Sequence, residues 1–236
     1  MEIKNLGTEA VLLQWESKID PIINQEVHHL NEAILEQKIP GVQYTIPAYA
    51  SLCIGFDQNK ISKSTLVKLI LQIHTQLTSI STSFSSKIKI PVCYQPNFGI
   101  DLKELSQKLK LSVEEIIKLH YEKTYQVYML GFMMGFPYLG SLNPKIQIPR
   151  KAKPRKLVTE GSIGIAGSQT GIYPSSAPSG WQIIGQSPVK IFDIHKTFPF
   201  EIEAGDQIQF YPISESKFHE IQNDQKEGKY LLEYEK

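Results

Sequence analysis

In the first third of the chain, some segments alternate apolar and polar residues at the two-residue spacing of a strand, and others repeat apolar residues at the spacing of a helix. The segments TEAVLLQW, VQYTI and SLCIGF alternate as strands. Asp20-Pro21 predicts the start of a helix, because the amide hydrogen that proline lacks has no partner within the first turn of a helix. The two helical stripes are Ile23, Val27, Leu30 and Ile34, and Leu66, Leu69, Ile70, Ile73 and Leu77. With KIKIPVCY as a closing strand, the order β-α-β-β-α-β predicts a ferredoxin-like unit.

A different pattern follows the polar run STSFSS at residues 81–86, which we expect to be a hinge between domains 1–84 and 85–236. DLKELSQKLK and SVEEIIKLH predict short helices, the second with Ser112 and Glu115 in capping-box positions. The predicted strands are TYQVYMLG, SIGIAG, QTGIYP, VKIFDI and QIQFYPI. A helix begins at Ser214, and KYLLEYEK is expected to pair with a sheet edge. Short strands with glycine-rich connections favour a closed or nearly closed β-barrel, and the fold class is α+β.

The stretch Gly131–Pro188 combines glycine, proline and aromatic residues, so we expect an ordered loop that forms a surface. Its basic run consists of Lys145, Arg150, Lys151, Lys153, Arg155 and Lys156. Arg150 and Arg155 are the only arginines among 25 Lys and Arg residues. Since lysine supplies charge elsewhere, the two arginines favour bidentate binding of a carboxylate, a phosphate or a partner's acidic patch. The alternative is a solvated basic face.

The same stretch carries candidate ligand-binding groups. The hydrogen-bonding candidates are Ser162, Gln169, Thr170 and Tyr173, and the candidate apolar walls are Phe132, Phe136, Tyr138 and Trp181. Alternatively, the aromatic residues close the barrel or face a partner subunit. His120 ends a predicted helix, where the helix dipole favours an imidazolium that serves as proton donor, anion ligand or plain charge complement.

Composition narrows the possible partners. A net charge of +1 gives no reason to expect nucleic acid or an anionic membrane. No leader pattern or membrane-spanning apolar run is present, so we expect a cytoplasmic protein. Cys53 and Cys93 lie in apolar runs and predict buried reduced thiols rather than a metal site. The GSQTG segment has glutamine where a nucleophile elbow has serine, and no phosphate-binding loop motif occurs, so ATP would need another chain or an unusual cradle.

Four long motifs carry a family resemblance: GFMMGFPYLGSLNP, IPRKAKPR, GSIGIAGSQTGIYP and GWQIIGQSP. They resemble the carboxyltransferase domain, subunit 1 type, of the family that contains KipI and the 5-oxoprolinase B subunit, also known as allophanate hydrolase subunit 1. The resemblance covers nearly the whole chain and is strongest from Lys89 to Pro212. It implies a ferredoxin-like N-terminal α/β sandwich and a cyclophilin-like β-barrel.

The resemblance implies two alternative functions. One is the B subunit of an ATP-dependent 5-oxoprolinase, which opens 5-oxo-L-proline to L-glutamate together with an A subunit and a KipA-like C subunit. The other is a KipI-type inhibitor of a sensor histidine kinase. A third possibility, prolyl isomerase activity, rests on likeness to the cyclophilin fold alone. For lactam opening, His120 and Tyr138 are the candidate proton-transfer residues. Arg150 and Arg155 are the candidates for holding the substrate carboxylate and stabilising developing charge.

Overall fold

The computed structural model describes residues 1–77 and 87–235, and it divides into two compact units, Met1–Ser83 and Phe84–Lys236. The predicted hinge at residues 81–86 lies outside the described residues. The limits 1–84 and 85–236 therefore stay a prediction. No helix in the described part of the chain is long and apolar enough to cross a membrane.

The first unit packs two helices on a four-stranded antiparallel sheet in the order β1-β2-β4-β3. Its strands are β1 (Glu2–Leu6), β2 (Ala10–Gln14), β3 (Val42–Pro47) and β4 (Ser51–Phe56). Its helices are α1 (Pro21–Glu36) and α2 (Lys63–Gln76). Asp20 caps α1 by accepting hydrogen bonds from the amides of Ile22 and Ile23. The predicted stripes face one core in which Val27, Leu30, Ile34, Leu66 and Ile70 are fully buried.

One strand was predicted correctly but assigned to the wrong sheet. KIKIPVCY does not close the first sheet, because β1 occupies the edge beside β2. The segment forms β5 (Lys87–Cys93) in the second unit. The alternation of apolar and polar residues identifies a strand, but it does not identify the neighbouring strand, which depends on contacts between residues far apart in sequence. The ferredoxin-like assignment therefore stays a prediction.

The second unit is a closed seven-stranded β-barrel with helices, which confirms the predicted α+β class and barrel. Its helices are α3 (Leu102–Leu109), α4 (Val113–Tyr121) and α5 (Glu215–Lys226). Its further strands are β6 (Thr124–Leu130), β7 (Pro137–Gly140), β8 (Arg155–Val158), β9 (Ser162–Ala166), β10 (Gln169–Ile172), β11 (Ala177–Ser179), β12 (Gln182–Gln186), β13 (Gln207–Ile213) and β14 (Glu233–Glu235). The predicted capping box of Ser112 and Glu115 opens α4.

The barrel runs in the order β12-β9-β10-β7-β6-β13-β5 and closes where Gln186 of β12 pairs with Cys93 of β5. Strand β14 adds to the other end of β5, as predicted for the C-terminal segment. Strands β8 and β11 form a separate antiparallel pair. Branched residues fill the interior, among them Ile88, Ile90, Val127, Ile163 and Ile165.

Two local predictions were wrong. The stretch Gly131–Pro188 is not mainly surface loop, because it contains β7 to β12 and most of its strand residues are buried. Glycine serves here for close packing: a Cβ on Gly171 would lie 2.7 Å from the ring of Phe136. Conversely, VKIFDI is not a strand. Its segment folds back on residues 199–201, with one isolated bridge between Phe192 and Phe200.

Candidate functional site

An aromatic pocket of about 180 Å³ opens on the second unit and brings together more than half of the predicted site residues. These are Phe132, Phe136, Tyr138, Arg150, Tyr173 and Trp181. We call this cavity the aromatic pocket. A larger cavity of about 510 Å³ lies beside α5 and holds none of the predicted site residues, so the aromatic pocket is the candidate site.

Phe136 forms the centre of the aromatic pocket. It is 1% exposed and makes edge contacts with Tyr138, Tyr173 and Trp181, with ring centroids 4.9, 5.1 and 5.5 Å away. Such edge-to-face pairs stabilise a fixed arrangement of rings. Phe132 lies at the rim, where its ring is 63% exposed and its backbone takes a left-handed φ of 62°. The pocket therefore has a rigid aromatic floor and one exposed aromatic edge.

Arg150 supplies the positive charge of the aromatic pocket. Its guanidinium carbon lies 5.9 Å from the centroid of the Trp181 ring, within the range of a cation–π contact. Among the described residues that line the pocket, Arg150 is the only charged one. Its side chain is exposed, so the guanidinium fork is accessible to an anion.

Two tyrosines give the pocket neutral hydroxyl groups. Burial raises the pKa of Tyr138, against the opposing effect of the Arg150 charge. Burial also raises the pKa of Tyr173, whose hydroxyl lies 2.5 Å from Ser179 Oγ. Both phenols therefore keep their protons at neutral pH and can act as hydrogen-bond donors. Ser179 Oγ also accepts a hydrogen bond of 2.9 Å from the backbone amide of Trp181, which fixes the pocket wall.

The structure does not bring the two arginines to one ligand site. Arg155 lies outside the aromatic pocket and binds the Asp101 carboxylate with both ends of its fork, at 2.8 and 2.5 Å. Lys151 Nζ contacts the same carboxylate at 2.9 Å. The predicted pair of substrate-binding arginines is thus divided between a pocket residue and a partly buried ion-pair cluster around the buried Asp101.

His120 and Thr170 lie in the barrel interior, where both are fully buried. Thr170 Oγ1 donates to the carbonyl of Gly164 at 3.0 Å, so it accepts from His120 Nε2, also at 3.0 Å. His120 Nδ1 then accepts from the hydroxyl of Tyr94 at 2.8 Å. Burial lowers the pKa of His120 to about 3. The prediction that the helix terminus favours an imidazolium is therefore wrong, because burial favours the neutral ring.

Ser162 and Gln169 do not line the aromatic pocket either. Ser162 is buried on β9, with its Oγ 3.3 Å from Thr159 Oγ1. Gln169 begins β10 opposite Gly140 of β7. Their roles in substrate binding stay predictions, as does that of Thr170.

Sequence reasoning missed two groups that shape the site. Asp101 precedes α3, and its position in the sequence suggests only a helix cap, although its side chain makes no capping hydrogen bond. Ser179 precedes Gly180 and Trp181, so the motif SGW was a signal for a residue beside the pocket wall. No group of three or more His, Cys, Asp or Glu suitable for a metal ion is present within residues 1–77 and 87–235.

The chain is similar to a known domain family and to a protein with an assigned name. The family model of the carboxyltransferase domain, subdomain C and D, matches residues 1–202. The B subunit of the 5-oxoprolinase of Bacillus subtilis (strain 168) is 38% identical over 228 residues, which covers 92% of this chain and 95% of that protein.

Two solved structures are similar to this chain in fold. TTHA0988 is similar with a TM-score of 0.78 and 34% identity, over 87% of this chain and 40% of that chain. This chain therefore corresponds to less than half of TTHA0988. The K. lactis urea amidolyase matches with a TM-score of 0.82 over 99% of this chain and 16% of that chain. At 19% identity, this likeness shows the fold alone.

Proposed function

Because this chain belongs to the carboxyltransferase domain family of subdomains C and D, we propose that it is the B subunit of an ATP-dependent 5-oxoprolinase. The observation that carries this proposal is the match to the Bacillus subtilis protein along nearly the full length of both chains. The complex opens 5-oxo-L-proline to L-glutamate with hydrolysis of ATP, and the A and C subunits are the partners of this chain. A histidine kinase partner has no support among the relatives named above and stays a prediction.

The aromatic pocket is the proposed substrate site of this chain. 5-Oxoproline is a small five-membered lactam with one carboxylate, which suits a cavity of about 180 Å³ that holds one guanidinium. Arg150 binds the carboxylate through its fork, while the rings of Phe136 and Trp181 pack against the apolar face of the lactam.

Tyr138 faces the same cavity with a protonated hydroxyl, since burial raises its pKa. In this proposal the hydroxyl donates to the lactam oxygen, on which negative charge develops when the amide bond is activated. His120 supports the barrel rather than the chemistry, because its two ring nitrogens are both occupied in the interior.

The aromatic pocket does not fit ATP. A triphosphate needs several cations or a cradle of backbone amides, whereas Arg150 is the only charged residue among the described residues that line this cavity. We therefore assign ATP binding to the partner subunits. The N-terminal unit is proposed as ferredoxin-like, the barrel as cyclophilin-like and the complex as cytoplasmic.

The test is ATP-dependent release of glutamate from 5-oxoproline by this chain combined with the A and C subunits. Arg150→Ala should lower kcat/KM by roughly tenfold or more, because a hydrogen bond to a charged group contributes about 1.5–3 kcal/mol. Lys153→Ala is the matched control, since it removes an exposed cation of the same segment that does not line the pocket.

Two results would contradict different parts of the proposal. No turnover by the complete wild-type complex would exclude the 5-oxoprolinase function. Turnover that survives Arg150→Ala unchanged would show that the substrate is bound elsewhere.

A further inference from the structure

Four cations, Arg150, Lys151, Lys153 and Arg155, lie within six residues of sequence beside the aromatic pocket, but only Arg150 lines it. Lys151, Lys153 and Arg155 do not line it; Lys153 is exposed, whereas Lys151 and Arg155 are partly buried. Pro154, which directly precedes Arg155, is itself a lining residue, so the backbone of this basic segment runs along the pocket. The two partly buried side chains, those of Lys151 and Arg155, are held by a partner outside the cavity.

Asp101 is the group that engages both of them. Its carboxylate is 1% exposed, and it accepts both ends of the Arg155 fork as well as Lys151 Nζ. Lys151 also contacts Glu104 at 3.0 Å. The side chains of Lys151 and Arg155 keep only 15% and 27% of their exposure. A buried carboxylate with such partners strongly disfavours their release.

The same carboxylate also fixes the pocket wall. Asp101 Oδ2 accepts a hydrogen bond of 2.7 Å from the amide of Ile183, two residues after Trp181. The amide of Lys151 donates to the carbonyl of Gly180 at 2.6 Å, and Arg155 is paired with Ser179 between β8 and β11. The backbone on both sides of Trp181 is thus tied to one ion-pair cluster.

We infer that Asp101 is a specificity-determining residue: it holds Arg155 and Lys151 outside the aromatic pocket, leaves Arg150 as its single cation, and so selects small monoanionic carboxylates over polyanions such as phosphates. This inference rests on the proposed function, because it assigns the ligand class of the same pocket. Removing the Asp101 charge releases Arg155 and weakens the hold on Lys151, which keeps its contact with Glu104. A polyanion gains more from these cations beside the cavity than a monoanion does.

The experiment measures the dissociation constants of 5-oxoproline and inorganic pyrophosphate for the full chain. Quenching of Trp181 fluorescence reports binding once Trp15 has been replaced by Phe, since these are the only two tryptophans. The wild-type chain should bind 5-oxoproline more tightly than pyrophosphate. Asp101→Asn keeps the size of the side chain and should shift the affinity ratio toward pyrophosphate by about tenfold, the effect of one charge-assisted hydrogen bond.

Two further variants separate charge selection from a general structural effect. Asp101→Asn combined with Arg155→Gln removes one freed cation and should return the ratio toward the wild-type value. Glu104→Gln is the matched control, because it removes a carboxylate that contacts Lys151 but is 47% exposed, and it should leave the ratio near wild type.

Each result decides the inference. An equal loss of affinity for both ligands in Asp101→Asn would reduce Asp101 to a structural role and overturn it. If Asp101→Asn does not fold, the dissociation constants of the wild-type chain are the test. The inference is overturned if the wild-type chain prefers pyrophosphate, binds both ligands equally or binds neither. A complex without 5-oxoproline turnover, together with the expected change in selectivity, would instead defeat the proposed function alone.

Discussion

A histidine inside the barrel is kept neutral by burial, and both of its ring nitrogens form hydrogen bonds. Thr170 and Tyr94 occupy Nε2 and Nδ1 of His120, and Phe210 stacks on its ring at 4.7 Å. Because burial lowers the folded-state pKa of His120 to about 3, below its ordinary value of 6.5, the unfolded chain takes up a proton over that interval while the folded chain does not. Acid therefore favours unfolding.

His120 should make the stability of the barrel depend on pH between about 6 and 4. Each pH unit lost in that window should lower the free energy of unfolding by about 1.4 kcal/mol through this one group. Urea denaturation at several pH values measures the slope, and His120→Gln should flatten it by that amount. Thr170→Val is the control, because it removes a hydrogen bond but keeps the histidine. A slope unchanged in His120→Gln would contradict the assignment.

The position of His120 at a helix end was predictable, but its environment was not. The sequence places it at the last turn of α4, where a helix dipole favours a cation. Burial decides against that effect, and burial depends on strands that follow much later in the sequence. The same holds for Arg155, whose partner Asp101 lies 54 residues away in sequence. Residue types indicated the chemistry of the site, while long-range contacts decided which groups line the same pocket.

At the scale of elements, the pairing of β10 with β7 depends on a glycine that faces an aromatic ring. A Cβ on Gly171 would lie 2.7 Å from Phe136 Cζ and 2.9 Å from the carbonyl oxygen of Pro137. Gly171→Ala should therefore destabilise the barrel by about 1–3 kcal/mol through overpacking, and it should displace Phe136 from the floor of the aromatic pocket. Thermal unfolding and near-ultraviolet circular dichroism measure the two effects.

Gly131→Ala provides the comparison for that variant. A Cβ there would meet the end of the flexible Met129 side chain at 3.2 Å, which can move aside. Equal destabilisation by the two variants would show that the close approach of Phe136 is not the cause.

Helices were easier to predict than strand partners. The stripes of α1 and α2 and the capping box of α4 are local patterns, and all three are confirmed. The segment VKIFDI shows the opposite case: its alternation is real, since Val189 and Ile191 are buried, yet it packs as a loop. Alternation reports which residues are buried, whereas a strand also requires a neighbour at hydrogen-bonding distance.

For the whole molecule, the membership of β5 determines where the chain can be divided. Strand β5 runs parallel to β13 along its full length, and Ile88, Ile90 and Val92 are fully buried in the barrel core. A fragment of residues 87–236 should therefore fold cooperatively by itself, because it keeps all strands of the closed barrel. A fragment of residues 95–236 should not, because it lacks β5, which opens the barrel and exposes the core side chains that pack against Ile88, Ile90 and Val92.

Circular dichroism and urea unfolding of the two fragments measure this difference. The corresponding pair for the first unit is residues 1–77 and 1–94, which should be equally stable, since β1 already occupies the sheet edge beside β2. Added stability in the longer fragment would instead support KIKIPVCY as a strand of the first sheet.

The pairing of β14 with β5 brings the two ends of the barrel unit together. Glu235 lies opposite Lys87, and its carboxylate contacts both Lys87 and Lys89. A short peptide joining residue 235 to residue 87 would close the barrel unit into a ring, and new ends could be opened at an exposed loop such as residues 194–198. The barrel is thus suited to circular permutation and to insertion, as one cassette, into the loop of an unrelated host protein.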